Sequence, residues 1–300
     1  MPLWKLGTEP QRHRHLPRPC SGEWVGGLAW EEAGSCQDPS RIQTRAHRCG
    51  DHWLLTGAKA RVSNGPVARV AAVVARIEEA RPGEGLAYAF VDLERPGVHR
   101  TSVELLGLRA MPWGTLTFDE VEIAEEDVIR EVPMDRTLRA VEWGQLLQSC
   151  SSLGFAEAAL ELCLSFVRQR EAFGRSLAHL QAVHSRLAEM RVEVEATRLL
   201  CHDAARLKSQ GLPARELMMM AKVSATEMAV RVCDHAMRLL AAWGYTTECE
   251  LERVYRDSLG NVSGGLATDR LRELIACSML GTSPWEYEPF DWLSTSGLKP

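Results

Sequence analysis

The spacing of apolar residues changes character once along this chain, and that change limits the folds open to it. From Asp135 onward the period is helical. Trp143, Leu146, Cys150, Leu153, Ala156, Leu160, Cys163 and Val167 follow at steps of three and four, so one face of a helix is buried over several turns. Leu180, Val183, Leu187, Met190, Val194, Thr197, Cys201 and Ala204 repeat the pattern, as do Leu217, Ala221, Ala225, Met228, Val232 and Leu239. A shorter stripe runs from Ala267 to Leu280. Gly211 and Pro213 separate the second stripe from the third, the glycine suited to a left-handed C-terminal residue and the proline to the first turn of the next helix. Four antiparallel helices burying these stripes form a bundle over residues 135–281.

Before Asp135 no helical period is sustained. Short apolar runs at Trp24 to Trp30, His52 to Thr56, Val67 to Ile77, Leu86 to Val91 and Gly114 to Phe118 are separated by Asn64-Gly-Pro66, Pro82-Gly83 and Pro96-Gly97. This predicts an antiparallel β-barrel-like domain over 20–134, so the chain reads as α+β. A lead-in segment covers 1–19. The tail, 282–300, carries Pro284-Trp-Glu-Tyr-Glu-Pro-Phe-Asp-Trp292 and reads as a strap over the body or a partner-binding segment.

Composition excludes some functions. The net charge is −5 and the basic residues are dispersed, which gives no electrostatic footprint for nucleic acid. No apolar run approaches the roughly 20 residues that span a bilayer, so no membrane role is expected. The nine cysteines form no CxxC pair, and His179, His184, His202 and His235 offer no same-face ligand pair at three or four residues. Reduced thiols, a cytoplasmic location and no metal site follow as expectations. Met218, Met219 and Met220 read as core filling of a helix.

Between the first two stripes lies Arg168-Gln-Arg-Glu-Ala-Phe-Gly-Arg-Ser-Leu-Ala-His-Leu-Gln181, a basic elbow broken by a glycine. Arg168, Arg170 and Arg175 beside a helix start suit a phosphate or pyrophosphate, because guanidinium forks and free N–H groups both face an anion. On local physics alone a helix corner with solvated arginines is the more ordinary reading.

Arg170-Glu-Ala-Phe-Gly174 followed by Gln181 resembles the RxxFG...Q signature of the acyl-CoA dehydrogenase family of flavoproteins. Other stretches stand in family order from about Gly7 to Leu280. Leu28 to Ser40 is similar to the family's flavin-contacting Thr-Glu-Pro-x-(small)-Gly-Ser-Asp run: Glu32 and Asp38 match, Ser35 keeps the small residue, Glu31 replaces the threonine and Gln37 the serine. Leu55 to Pro66 resembles a Gly-Thr-Lys-x-Trp-Ile-Thr-Asn run, with Gly57, Lys59 and Asn64 matching, Ser63 keeping the hydroxyl and Arg61 in the tryptophan's place. Without the family, both stretches read as loops joining strands. Leu239 to Glu248 resembles a Leu-Gly-Gly-x-Gly-Tyr-Thr loop, with Gly244 in frame and Ala241 and Ala242 replacing the paired glycines. The Glu-Arg-x-x-Arg-Asp helix after it matches Glu252, Arg253, Arg256 and Asp257, of which Arg253 and Asp257 read as a surface ion pair.

The resemblance implies FAD, contacted by Arg170, Phe173, Gln181, Glu32, Gln37, Ser63 and Gly244, and α,β-dehydrogenation of an acyl thioester carried on CoA or acyl carrier protein. It implies a homo- or hetero-oligomer of related subunits, with FAD held across a subunit interface. Gly7 to Pro17 resembles the lead-in that follows the family's N-terminal helical domain, and no counterpart of that domain stands ahead of it. One wall of the substrate cleft is then supplied by another polypeptide, or left open, or belongs to a different chain start. The usual catalytic glutamate falls, by the spacing to Asp269, on Gly265; its alternative position, by the spacing to Arg170, falls on Gly144, with Gln145 next to it. Glu142 is the nearby candidate base, although two helical residues turn a side chain by roughly 200°. Glu286, Glu288 and Asp291 of the tail are further candidates. The resemblance thus leaves two expectations: an FAD-dependent acyl-CoA dehydrogenase-like enzyme that lacks the usual glutamate, and a non-catalytic partner subunit of a heteromeric acyl-CoA dehydrogenase-type complex.

Overall fold

A computed structural model describes residues 2–35, 37–78, 86–132 and 134–282. Cys36, the Pro82-Gly83 turn and the tail from Pro284 to Trp292 lie outside the described residues. Three short helices, α1 (Pro2–Leu6), α2 (Glu9–His15) and α3 (Pro17–Ser21), lead into eight strands: β1 (Gly26–Ala29), β2 (Arg45–Cys49), β3 (His52–Ser63), β4 (Val70–Ile77), β5 (Leu86–Asp92), β6 (Val98–Arg100), β7 (Trp113–Ala124) and β8 (Val128–Val132).

Alternation along β5 shows why this sheet is buried on both faces. Ala87, Ala89 and Val91 point into a core with Trp53, Leu55, Leu116, Phe118 and Val121 of β3 and β7. Leu86, Tyr88 and Phe90 point the other way, against Leu3 of α1, Ile42 and Val74. The lead-in is therefore a cover for the second face. Gln11 of α2 donates its amide to the carbonyls of Glu126 and Val128, and His15 pairs with Asp127 at 2.8 Å.

The strand order is β6-β7-β3-β2-β4-β5-β8, with β1 beside β4. Most neighbours are antiparallel, but β4 runs parallel to both β1 and β2. The hydrogen-bonded path ends at β6 and β8, so among the described residues the sheet is open and mixed where the turn pattern predicts an antiparallel barrel. β3 is also longer than its apolar run. Its ladder with β7 continues through Ser63, with register shifts between Leu55 and Gly57 and between Lys59 and Val62, so the Leu55 to Ser63 stretch is strand and not loop.

The helical unit comprises α4 (Met134–Gln169), a two-strand hairpin of β9 (Glu171–Ala172) and β10 (Arg175–Ser176), then α5 (Gln181–Ser209), α6 (Arg215–Gly244), α7 (Leu251–Ser263) and α8 (Thr268–Leu280). Helix α6 is central and packs on α4, α5, α7 and α8. Five helices thus stand where four stripes predict four, because α7 contributes Leu251 and Val254 to the core shared by α4 and α6. Met218 and Met219 are buried core residues. Residues 142–169 of α4 form a helix that, by length and by an 18-residue stretch of mean hydropathy 1.4, is apolar enough to cross a bilayer. Its apolar side, through Leu153, Ala156, Ala159, Leu160 and Cys163, packs on Met190, Val194, Met228 and Val232. The stripe on α4 differs from the apolar pattern in one respect: Cys150 is exposed, while Gln145, Ser149 and Ser152 are buried.

Sheet and bundle are joined through α7. Arg256 donates to the carbonyl of Leu106 at 2.7 Å, and Asp257 accepts the N–H of Leu108 at 2.6 Å. Arg256 is itself held by Glu252 at 2.7 and 3.1 Å. Asp257 is therefore an inter-unit contact and not the partner of Arg253, which lies 3.9 Å from Glu250.

Candidate functional site

The loop after β1 is tied down at both ends. At its start, Glu32 accepts the N–H groups of Gln43 and Thr44 at 2.6 and 3.0 Å and the Lys59 ammonium at 2.6 Å. Lys59 is fully buried on β3 and also donates to the Trp30 carbonyl. Burial pushes the Lys59 ammonium down to about 8 against the pull of Glu32. For Glu32, burial acts to raise the pKa, but the Lys59 charge and the hydrogen bonds from Lys59, Thr44 and Gln43 outweigh it and hold the carboxyl below its ordinary value. Glu31, half-buried, moves the other way: burial raises it against the Ser35 hydroxyl at 3.0 Å and the Arg61 guanidinium at 3.9 Å.

At the far end, Gln37 reaches the bundle. Its amide nitrogen donates to the Gly265 carbonyl at 2.8 Å, and its amide oxygen accepts the Ala267 N–H at 3.0 Å. Lys222 of α6, fully buried, meets the same turn from behind and donates to the carbonyls of Gly264 and Leu266. Burial pushes Lys222 down to about 7.

The two glycines expected at the base positions differ sharply. Gly265 has φ +61, in the left-handed region, and a Cβ there would lie 3.2 Å from the Gln148 amide oxygen. Gly144 is exposed on α4, and a Cβ there would meet nothing within 4 Å. Gly144 and Gln148 are four residues apart on one helix and so share a face, but only Gly265 and its neighbour Gly264 lie against the Gln148 amide. Glu142 is engaged elsewhere. Its carboxylate pairs with Lys208, and with Arg215 at 2.8 Å, tying α4 to the ends of α5 and α6. Gln145 is buried, with its amide oxygen lacking a partner among the described residues.

The arginine elbow is a β-hairpin. Phe173 and Gly174 occupy its two-residue turn with φ 54 and 76, both positive as such a tight turn demands. Helix α5 starts only at Gln181, after a short 3-10 turn at Leu177–His179. Arg168, Arg170, Arg175 and Gln181 are exposed, and none finds a side-chain partner among the described residues. Phe173 is 91% exposed at the tip.

The remaining expected contacts are dispersed. Ser63 closes β3, half-buried beside Asn64. Gly244 is buried where α6 meets α7, a Cβ there lying 3.0 Å from Leu240 and 3.4 Å from Leu251. Three residues before it, Ala241 breaks the helix at φ 50 and ψ −132, where a side chain is strained. The structure thus joins Gln37 to Gly265, sets Glu32 on the sheet at the other end of the same loop, and groups Arg170, Phe173 and Gln181 on the hairpin. Hydropathy missed Lys222 and Gln148; the available signal was a lysine on the same α6 face as Met218, Ala225 and Ala229.

Comparison with known proteins matches both units. Residues 27–121 match the family model for the acyl-CoA dehydrogenase middle domain, and residues 134–280 match that for the acyl-CoA dehydrogenase C-terminal domain. A glutaryl-CoA dehydrogenase from Desulfococcus multivorans is 33% identical over 258 residues, 84% of this chain and 66% of that protein. Butyryl-CoA dehydrogenase from Megasphaera elsdenii shares the fold with a TM-score of 0.89 at 26% identity, covering 93% of this chain and 74% of that one. A glutaryl-CoA dehydrogenase from Mycobacterium smegmatis in complex with FADH2, 24% identical, shares the fold with a TM-score of 0.88 over 95% of this chain and 73% of that one. The chain spans about two thirds of the length of the Desulfococcus relative. Matched in both units, in family order, this chain belongs to the acyl-CoA dehydrogenase family.

Proposed function

We propose that the chain is a cytoplasmic acyl-CoA dehydrogenase-like flavoprotein subunit, binding FAD and acting on an acyl thioester of CoA or acyl carrier protein within a homo- or hetero-oligomer of related subunits. The observation that carries this reading is the hairpin. It presents three exposed guanidinium groups that have no side-chain partner among the described residues and an exposed aromatic ring, with the exposed Gln181 amide at the start of α5. That donor set fits the pyrophosphate and rings of FAD, with Arg170 and Gln181 donating and Phe173 offering an apolar face. Arginines facing outward from their own subunit fit a cofactor shared with a neighbour.

FAD, when bound, supplies the hydride acceptor. The chain's own residues hold the loop beside it: Glu32 and Lys59 fix the loop on the sheet, Gln37 fixes it on the bundle, and Ser63 stays half-buried at the end of β3. Taking the α-proton of a thioester needs a carboxylate facing the flavin across the substrate. Gly265 and Gly144 supply none, and Glu142 is held by Lys208 and Arg215. That favours a second reading, in which the chain is a non-catalytic partner that lends its hairpin to the FAD of a related subunit. The test is the visible spectrum and oligomeric mass of purified protein with and without added FAD. A flavin spectrum with turnover of an acyl thioester supports the first reading; activity only on co-expression with a related subunit supports the second. Colourless protein that takes up no FAD and joins no partner sinks both.

A further inference from the structure

We infer that Gln37 is a positioning residue that sets the distance between sheet and bundle at the candidate site, by holding the loop after β1 on the 264–267 turn. The inference rests on the proposed function only in taking that loop to face the cofactor. Four observations carry it. Gln37 uses both ends of its amide on one turn, 228 and 230 residues away in sequence, and an uncharged carboxamide is suited to giving a donor and an acceptor at once. Its backbone has φ 60, a left-handed conformation that a residue with a side chain keeps only where its surroundings hold it.

The turn that receives Gln37 is itself a fixed anchor. Lys222 holds the carbonyls on either side of Gly265, and the Gln148 amide lies against Gly264 and Gly265 on the third side. The loop that carries Gln37 is fixed again five residues earlier, where Glu32 meets Lys59 on the sheet. The loop is therefore a strap with one foot on each unit, and Ala33 and Gly34 between the feet are exposed. Any ligand resting on that stretch feels the length of the strap. The second link between the units, Arg256 and Asp257 on the Leu106 to Leu108 loop, is made from the middle of α7, seven or more residues before the turn that holds Gln37.

The experiment compares wild type with Gln37→Met, which keeps the size and loses both hydrogen bonds, and Gln37→Glu, which keeps the acceptor for Ala267 and loses the donor to Gly265. Two readouts are taken: hydrogen exchange at the Ala267 amide and the dissociation constant for FAD. Loss of both bonds is expected to speed Ala267 exchange about tenfold and to weaken FAD binding by a similar factor, with the thermal midpoint nearly unchanged because the joint is partly exposed. Gln37→Glu is expected to recover most of the exchange protection and only part of the FAD affinity. Exchange at Ala267 within twofold of wild type in Gln37→Met overturns the inference, as does faster exchange with unaltered FAD affinity. Faster exchange in a protein that takes up no FAD even as wild type supports the joint and overturns the cofactor reading instead.

Discussion

The hairpin at Arg168 to Gln181 and the joint between Gln37 and the 264–267 turn treat their polar groups in opposite ways. At the joint, Gln37 answers the Gly265 carbonyl and the Ala267 N–H, and Lys222 answers the carbonyls of Gly264 and Leu266, so each of these groups is matched within one chain. At the hairpin three arginines and a glutamine are exposed with no side-chain partner among the described residues. The difference separates two kinds of motif residue: those that build the chain and those that reach beyond it. Glu32 and Gln37, expected in a flavin-contacting loop, are engaged in holding the fold, whereas Arg170 and Gln181 have no side-chain partner among the described residues.

That contrast yields predictions of graded size. Lys59→Ala leaves the Glu32 carboxylate buried without its partner, and unfolding in denaturant is expected to show a loss of about 3–5 kcal/mol; a loss under 1 kcal/mol would place the strap's sheet end outside the core. Stability is also expected to depend on pH through the buried lysines. Lys222 and Lys59 have folded pKa values of about 7 and about 8, below the ordinary 10.5. Between those values and 10.5 the unfolded chain binds more protons than the folded one, so each lysine's contribution makes stability rise with pH, by up to about 1.4 kcal/mol per unit, and its burial penalty is fully present below the folded pKa. Lys222→Met is expected to flatten the slope between pH 7 and 10, read from denaturant midpoints.

The two base-position glycines sharpen the contrast further. Gly265→Glu forces a side chain into a left-handed conformation and against Gln148, for a predicted loss of about 1–2 kcal/mol. Gly144→Ala is predicted to gain about 0.5–1 kcal/mol, since it replaces an exposed glycine in a helix with open space around it. A carboxylate is thus more easily installed at Gly144 than at Gly265. Smallest in stability is Arg170→Ala, predicted to change the unfolding free energy by less than about 0.5 kcal/mol because no described residue pairs with its side chain.

Much of the architecture was legible because it rests on periodicity. The α5 stripe of Val183, Met190, Val194, Thr197, Cys201 and Ala204 is the buried face of that helix, and the β5 run is a strand. The parallel neighbours of β4 were not legible, since apolar alternation fixes which faces are buried and carries no strand direction. Nor was the α4 face of Gln145, Ser149 and Ser152, because buried polar residues look solvent-facing until a partner is known. The elbow was placed correctly as a break but read as a helix start; Phe173-Gly174 is a hairpin turn whose strands, two residues each, are too short for alternation to register. The occupancy of Gln37 was invisible, because its partners lie more than two hundred residues away.

The claim that the hairpin serves a cofactor beyond its own fold is tested most directly by one titration: FAD bound per subunit, read from the visible spectrum with the oligomeric mass, for wild type and Arg170→Ala side by side. The account predicts that wild-type protein retains FAD in an oligomer and that Arg170→Ala, folded and equally stable, loses most of it. Equal retention by the two proteins would contradict the account and leave the hairpin as a solvated corner.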